Sequence, residues 1–319
     1  MRSFFTMAPS YRARPARRVP WTGGRAPREA RAVPGPLDGP DPPLDRTGAL
    51  EVDGASLHLR RWIPPAGRSV RAPVALVHGF GEHVGRHDLL ARDLAARGHE
   101  VVACDQRGHG RSPGPRVLLE DLETALDDLD ALVRAARGDG GAAGPPVLFG
   151  HSMGGAFAAA YAATRPGRVR ALVLSGPAVH LPLLPRARTA PARLLAHVAP
   201  RTPVARISPA RLSRDPEEVQ AFVRDPLCWH GRVPVATAST MHGAGALALD
   251  EARALSIPLL VVHGERDTVV PVVASRILVA SVASGDRELV ETEHGAHEPL
   301  HDLCRDEVLR LVGDWVDAH

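Results

Sequence analysis

The residues best suited to chemistry surround Ser152. Residues 150–154 read Gly-His-Ser-Met-Gly; they follow the short apolar run 146–149 and precede a helical pattern. In this strand–turn–helix setting, Gly-x-Ser-x-Gly predicts a nucleophile elbow, a tight turn that exposes a serine hydroxyl at a strand end. The start of the helix adds positive potential beside the serine oxygen. The pattern therefore predicts that Ser152 attacks a carbonyl carbon.

A serine hydroxyl is a weak nucleophile at neutral pH, so it needs a base, and that base needs an orienting acid. After a nucleophile elbow, the acid and then the histidine follow in chain order. Asp267 fits the acid because it comes just after the apolar run 259–262, at the carboxyl end of a predicted strand. Residues 171–185, which include the preceding predicted strand, contain no Asp or Glu. The nearest competitor is Glu265, which we expect to be solvated.

Three histidines compete for the role of base. They follow the last predicted strand, residues 288–290, and are His294, His297 and His301. We favour His297, with His294 as a solvated loop residue and His301 one helical turn further on.

Attack on a carbonyl builds negative charge on its oxygen, which two backbone N–H groups must receive. One donor is expected from Met153, the residue after the nucleophile. The other is expected from the loop after the predicted strand Val74–Val77, where residues 78–81 read His-Gly-Phe-Gly. The amide of Phe80 is the natural second donor, and its side chain would form only a wall of the pocket.

These residues need a scaffold, and the chain from about Leu50 supplies one by alternating short apolar runs with amphipathic stretches. A hairpin is predicted around Asp53–Gly54. Further strands are predicted at residues 74–77, 101–103, 147–149, 171–174 and 259–262. Helices are predicted at residues 87–97, 119–137, 153–164, 272–282 and 303–316. This alternation predicts an α/β core, residues 48–177 and 253–319, built on a doubly wound, mostly parallel sheet.

Residues 178–252 interrupt the alternation with proline-punctuated helical pieces and no convincing strand. A structureless loop of that length is implausible in a compact domain, so we interpret the segment as a helical cap, or lid. We expect it to enclose the site, to select the acyl chain length and to rest transiently on a membrane surface. Its apolar residues are Leu181, Leu183, Leu184, Leu194, Leu195, Val198, Phe222, Val223, Leu227 and Trp229.

Charge and composition exclude several classes of protein. Residues 1–47 hold nine Arg against four acidic residues, whereas the other 272 residues hold 30 Arg against 32. The tail is rich in Pro, Gly and Arg, so we predict a disordered extension and no nucleic-acid partner. No apolar run approaches the ~18 residues of a membrane span. Three scattered cysteines are too few for a disulfide framework or a zinc cluster.

Five segments together carry a family resemblance: residues 78–86, 105–112 and 150–155, and the cap sequences at 212–214 and 225–227. From about residue 50 onward the chain resembles the monoacylglycerol lipase and lysophospholipase branch of the α/β-hydrolases. The resemblance implies the α/β-hydrolase fold, with Ser152, Asp267 and His297 as the catalytic triad. It also implies that Glu82 and Arg86 bind a glycerol head group, with His151 beside them. Without it, Glu82 and Arg86 would be interpreted as an exposed ion pair.

The expected activity is hydrolysis of a carboxylic ester, a monoacylglycerol or a lysophospholipid, through an acyl-enzyme and without cofactor or metal. One alternative is the same triad acting on an amide, a lactone or a carbon–carbon bond. Another is a ligand-binding receptor with vestigial hydrolysis. We expect a cytoplasmic protein with peripheral membrane contact, and the oligomeric state stays open.

Overall fold

A nine-stranded, mostly parallel sheet forms the centre of the structure, a computed structural model that describes residues 16–19, 42–138, 144–180 and 189–319. The strand order is β1-β11-β10-β7-β6-β4-β5-β3-β2, and β3 runs antiparallel to both of its neighbours. A separate antiparallel pair joins β8 to β9. The strands are β1 Arg17–Val19, β2 Leu44–Val52, β3 Ala55–Ile63, β4 Val74–Val77, β5 Val101–Cys104, β6 Val147–His151, β7 Ala171–Ser175, β8 Pro203–Ala205, β9 Val233–Pro234, β10 Leu259–Gly264 and β11 Arg287–Thr292.

Helices cover both faces of this sheet, because successive side chains of each buried strand point to opposite faces. In β4, Ala75 and Val77 join one apolar cluster, whereas Val74 and Leu76 join the other. Helices α2, α3, α6 and α7 pack into the first cluster, and α1 and α8 into the second. The helices are α1 Asp88–Ala96, α2 Leu122–Arg137, α3 Ser152–Thr164, α4 Thr189–Val198, α5 Pro216–Arg224, α6 Val235–Asp250, α7 Val273–Ser281 and α8 Arg305–Ala318. The predicted doubly wound α/β class is confirmed.

The predicted hairpin is present, but it begins earlier than expected. Asp53 and Gly54 form its turn with φ of 43° and 69°, a left-handed conformation suited to two-residue hairpin turns. Strand β2 starts at Leu44 and pairs with β3 as far as Ile63. The predicted boundary of the disordered extension at residue 47 is therefore wrong, because the antiparallel ladder continues through residues 44–47.

A second part of the predicted extension is also folded. Arg17–Val19 form β1, which pairs in parallel with residues 290–292 of β11 and buries Val19. Three residues are too few to show a periodic pattern, and an edge strand is held largely by its backbone, so composition could not reveal it. Residues 1–15 and 20–41 lie outside the described residues.

In the described residues of the predicted cap, 178–180 and 189–252, the structure has three α-helices and a short antiparallel ribbon, β8–β9. The sequence did not predict the ribbon. Proline stands in both short strands, which hides the strand signal. Helix α6 packs against α3 within the core cluster, so the segment that stands over the sheet ends before Val235. Leu181, Leu183 and Leu184 lie outside the described residues. No helix of the described part is long and apolar enough to cross a bilayer.

Candidate active site

Ser152 occupies a strained turn between β6 and α3. Its φ is +51°, the left-handed region that non-glycine residues seldom adopt. A side chain at Gly154 would overlap the carbonyl oxygen of His78, and a Cβ at Gly150 would lie 2.6 Å from the Gly154 carbonyl oxygen. The two glycines therefore let strand and helix approach closely enough to form the predicted elbow.

Ser152, His297 and Asp267 form one continuous hydrogen-bonded chain. The Ser152 hydroxyl lies 2.8 Å from Nε2 of His297, and Nδ1–H of His297 donates to Oδ2 of Asp267 at 2.6 Å. Ser152 lies in the turn after β6, Asp267 in the loop after β10 and His297 in the loop after β11. All three are buried, so solvent does not compete for these hydrogen bonds.

The electrostatics of the chain favour an ionised acid beside a more basic histidine. Burial raises the pKa of Asp267, but His297 and neighbouring donors outweigh burial and lower it well below its usual range. Its Oδ1 also accepts hydrogen bonds from the amides of Val269 and Val270 at 2.7 and 2.9 Å. Burial alone would lower the pKa of His297, yet the Asp267 carboxylate raises it above its ordinary value.

The other two candidate histidines lie elsewhere. His294 is half-exposed, and its ring lies 3.9 Å from Glu265 and from Glu293. His301 donates its Nε2–H to the backbone carbonyl of Arg86 at 2.8 Å, and burial lowers its pKa to about 3. Of the three, His297 is the one that reaches the Ser152 hydroxyl. Glu265 accepts a hydrogen bond from the His294 amide, away from the triad.

Side chains fix the loop after β4 against the serine. His78 donates Nδ1–H to the Gly79 carbonyl at 2.8 Å, while its Nε2 accepts the Gln106 amide at 2.9 Å. The Gly79 amide donates to Oε1 of Glu82 at 2.6 Å. A Cβ at Gly79 would lie 3.2 Å from the Ser152 Cβ, so this backbone passes directly beside the nucleophile. The amide of Phe80 comes next along the loop.

Glu82, Arg86 and Glu298 form a buried ionic cluster. Nη1 of Arg86 donates to Oε2 of Glu82 at 2.8 Å, and Nη1 and Nη2 donate to the two oxygens of Glu298 at 2.8 and 2.7 Å. The three side chains are 2%, 8% and 5% exposed. The alternative interpretation of Glu82 and Arg86 as an exposed ion pair is therefore wrong. Glu298 was missed, although its position directly after His297 was a usable signal.

Both carboxyl groups of this cluster are held in the ionised form. Burial raises the pKa of each carboxyl, and the opposing charges are stronger. For Glu298 the counter-charge is Arg86, and for Glu82 it is His87 together with Arg86. Both pKa values end below the usual range.

A small cavity of about 30 Å³ adjoins the Ser152 hydroxyl. Residues of the core and of the segment before α6 line it together: Gly79, Phe80, Glu82, His151, Ser152, His297 and Glu298 from the core, and Ile207, Leu212, Phe222, Trp229 and Gly231 from the other side. Backbone hydrogen bonds join the two sides, from Trp229 N–H to the Gly81 carbonyl at 2.7 Å and from Glu298 N–H to the Leu212 carbonyl at 2.9 Å. The space has room for about one water molecule, so a substrate needs these residues to separate.

Comparisons with known proteins agree with this geometry. The family described as serine aminopeptidase, S33, matches residues 68–303. A monoacylglycerol lipase from Mycolicibacterium smegmatis is 40% identical over 273 residues, 84% of this chain and 95% of its own length. The chain is an α/β-hydrolase of the monoacylglycerol lipase branch. A monoglyceride lipase from Rattus norvegicus is 31% identical, over 86% of this chain and 91% of its own.

Solved structures extend the comparison. The monoacylglycerol lipase of Paleococcus ferrophilus superposes with a TM-score of 0.72 at 30% identity, covering 82% of this chain and 99% of that chain. A soluble variant of the Saccharomyces cerevisiae monoglyceride lipase has a TM-score of 0.77 at 24% identity, over 88% of this chain and 96% of its own, a likeness of fold. The α/β-hydrolase is thus a serine hydrolase of carboxylic esters.

His151 lies in the wall of this hydrolase's cavity. Its Nδ1–H donates to the Ser175 carbonyl at 3.0 Å, and its ring centre is 5.4 Å from that of His297. Burial lowers the pKa of His151 to about 4, so it stays neutral beside the base.

Among the described residues, one cluster of metal-ligating residue types lies near the hydrolase site. The ligand atoms of His83, Asp225 and Cys228 are all within 4.8 Å of one another. His83 Nε2–H donates directly to Asp225 at 2.8 Å, and burial raises the pKa of the Cys228 thiol. The Nε2–H of His83 is directed at the Asp225 carboxylate, and the Cys228 thiol keeps its proton. The three groups form a contact between core and cap, and a histidine N–H and a protonated thiol are poor ligands for a cation.

Proposed function

We propose that this hydrolase cleaves monoacylglycerols through an acyl-enzyme formed on Ser152. His297 takes the hydroxyl proton as Ser152 attacks, and then gives it to the leaving glycerol oxygen. Asp267 holds the imidazole and balances its charge. The amides of Phe80 and Met153 donate to the oxyanion, and water then releases the fatty acid. The observation that carries this proposal is the continuous hydrogen-bonded chain from the serine to the acid.

The head-group preference follows from the charge facing the cavity. Glu82 and Glu298 line it as ionised carboxylates, with Arg86 behind them. Carboxylates accept hydrogen bonds, so they suit the free hydroxyls of glycerol. A phosphodiester would bring a like charge beside two carboxylates, which disfavours a lysophospholipid. Arg86 fixes the two acceptors, and neutral His151 completes the wall.

A second candidate is cleavage of an aminoacyl amide. The same two carboxylates would receive a protonated amine, and the matched family carries the description serine aminopeptidase. The reaction at Ser152 would be the same, so substrates distinguish the two candidates.

We assign the choice of acyl chain to the cap, whose Leu212, Phe222 and Trp229 line the cavity. On its outer side, Leu194 and Val198 of α4 are 66% and 71% exposed. They lie one helical turn apart and thus on one face. This face is suited to resting on a lipid surface, which would make the enzyme a peripheral membrane protein.

The test combines labelling with a substrate panel. A fluorophosphonate probe should label Ser152, and Ser152→Ala should lose both labelling and turnover. Ser175→Ala, at the end of the adjacent strand, is the matched control and should retain both. Wild type should cleave a medium-chain monoacylglycerol faster than the lysophosphatidylcholine of the same chain or an aminoacyl nitroanilide. Faster nitroanilide cleavage would replace the proposal with the second candidate, and persistent labelling of Ser152→Ala would refute both.

A further inference from the structure

A second histidine lies against the acid of the triad. Nε2 of His263 is 3.1 Å from Oδ2 of Asp267, and 2.9 Å from the Val270 carbonyl oxygen. Nδ1 of His263 is 2.7 Å from the hydroxyl of Ser275. His263 is at the end of β10, and Ser275 is in the first turn of α7. The side chain of His263 is fully buried.

The neighbours of the His263 ring determine where its proton lies. Both groups that face Nε2, the Val270 carbonyl and the Asp267 carboxylate, are acceptors, so Nε2 carries the hydrogen. The Ser275 hydroxyl then donates to Nδ1. A donor on Nδ1 polarises the ring and makes Nε2–H a stronger donor.

With His263 included, the hydrogen bonding of Asp267 is complete. Oδ1 accepts from the amides of Val269 and Val270, and Oδ2 accepts from His297. The Nε2–H of His263 is shared between the Val270 carbonyl at 2.9 Å and the same Oδ2 at 3.1 Å. An ionised carboxylate has about four acceptor positions, so none is left to favour another orientation. Oδ2 of Asp267, which accepts the N–H of His297, is thus also contacted by the N–H of His263.

We infer that His263 is a positioning residue of the reaction: through its hydrogen bond to Asp267, it sets the orientation of that carboxylate and the basicity of His297. His263 touches no substrate, and Ser275 keeps it in the donating tautomer. Sharing the negative charge of Asp267 between two donors weakens the hold of the carboxylate on the His297 proton. The inference rests on the proposed triad.

Other charged groups also influence the pKa of His297 or lie near His263. Glu298 and Glu82 act on His297 from the opposite side, and His151 is neutral there. On the His263 side, Glu291 of β11 is paired with Arg276 of α7. His263 also acts on Glu291, whose charge Arg276 neutralises, whereas the other groups lie on the His297 side. A shift in the base that His263→Leu and Ser275→Ala share therefore reports on Asp267.

The experiment compares His263→Leu, which removes the donor, with His263→Gln, whose side-chain amide can donate again. In His263→Leu, kcat for a short soluble ester should fall about tenfold to a hundredfold, the loss of one hydrogen bond to a charged group, with KM nearly unchanged. The acidic limb of the kcat/KM profile should move to higher pH, because the unshared carboxylate holds the His297 proton more strongly. His263→Gln should recover most of the rate.

Ser275→Ala keeps the imidazole and provides a test that does not depend on the buried replacement. It should shift the acidic limb in the same direction by a smaller amount. Ser281→Ala, at the exposed end of the same helix, is the control and should match wild type. Wild-type kinetics and an unmoved acidic limb in Ser275→Ala and His263→Leu would overturn the inference. Equal losses in His263→Leu and His263→Gln, without a pH shift, would also overturn it and indicate a packing role.

Labelling separates this failure from failure of the proposed function. If the fluorophosphonate labels Ser152 in wild type, while the His263 variants react at the wild-type rate across pH, only the role of His263 is refuted. If wild type is not labelled at Ser152, the triad itself is refuted.

Discussion

The guanidinium of Arg86 donates hydrogen bonds to both carboxylate oxygens of Glu298, a residue 212 positions further along the chain. Arg86 follows the loop that passes beside Ser152, and Glu298 follows His297 directly. The pair therefore fixes the loop after β4 relative to the loop after β11. A buried, bidentate pair is suited to this because its planar geometry allows one arrangement.

Removing Arg86 should destabilise the fold, because two buried carboxylates would lose their counter-charge. Arg86→Leu is expected to lower the free energy of unfolding by about 3–5 kcal/mol, measured by urea denaturation. Arg165→Leu is the comparison, since its carboxylate partners Glu123 and Asp127 are exposed, and it should lose about 1 kcal/mol or less. Equal losses in the two variants would contradict the importance of burial.

Glu298→Gln should affect the alcohol part of the substrate and leave the chemistry intact. The neutral amide is a weaker acceptor for a glycerol hydroxyl, so KM for a monoacylglycerol should rise about tenfold. A nitrophenyl ester has no such hydroxyl and should react within about twofold of wild type. The relative rate on a lysophospholipid should increase, because one negative charge is gone. A similar loss on every ester would contradict a head-group role.

Alanine substitutions of the three histidines after β11 should have different effects on turnover and on stability. His297→Ala is expected to reduce kcat about 10⁴-fold or more, since the serine loses its base. His294→Ala should retain wild-type turnover. His301→Ala should lose stability, because its hydrogen bond to the Arg86 carbonyl is buried. Steady-state kinetics and urea denaturation of all three variants check this, and loss of turnover in His294→Ala would contradict the assignment.

Stability should fall as the pH drops from 7 to 5. Burial lowers the pKa of His78 and His151 to about 4, and of His109 and His301 to about 3. The unfolded chain takes up protons on these histidines near pH 6.5 while the folded chain does not, so low pH favours unfolding. His297, whose pKa is raised, opposes this trend only near and above pH 6.5, because below that pH it is protonated in both the folded and the unfolded chain. Near pH 5 the slope should therefore approach about four protons.

Urea denaturation at a series of pH values measures that slope. His301→Gln should reduce it by about one proton, since the replacement does not titrate. An unfolding free energy that is constant between pH 5 and 7 would show that these histidines are not held neutral by the fold.

The exposed face of α4 should matter only at a lipid surface. The double variant Leu194→Ser, Val198→Ser is expected to lower vesicle binding and turnover of vesicle-borne monoacylglycerol several-fold. Hydrolysis of a soluble butyrate ester should be unchanged. Val70→Ser, at a 76% exposed position in the β3–β4 loop, is the control. Vesicle co-sedimentation with a parallel rate assay checks both, and unchanged vesicle binding would refute the surface role.

Much of the core was predictable because buried parallel strands read as compact apolar runs. The predicted strand 74–77 has the observed bounds, and the predicted 171–174 is one residue short. The elbow was readable because its strand, turn and helix are contiguous in sequence. Asp267 could be chosen because chain order and strand ends restrict the options.

What escaped prediction depends on contacts between distant segments. Glu298 follows His297 directly in sequence, but its ion pair with Arg86 forms only because two distant loops pack together. The spacing of residues along the chain does not reveal that contact. His263 reads as one more residue of a buried strand, since its hydrogen bond to Asp267 depends on how the following loop turns. The pairing of His301 with a backbone carbonyl has no side-chain signature at all.

The pairing of β1 with β11 has a consequence for how the protein assembles during synthesis. Of the strands that the structure describes, β1 leaves the ribosome first, whereas its partner residues 290–292 belong to the last one made. The first strand must therefore wait, unpaired, until almost the whole polypeptide has emerged. Until then the growing sheet has no cover on that side, and an uncovered edge is a template for pairing with other chains. Completion of β1 is thus a late step, and it replaces the six-residue edge of β11 with an edge strand of three residues, which is a poorer template for self-association.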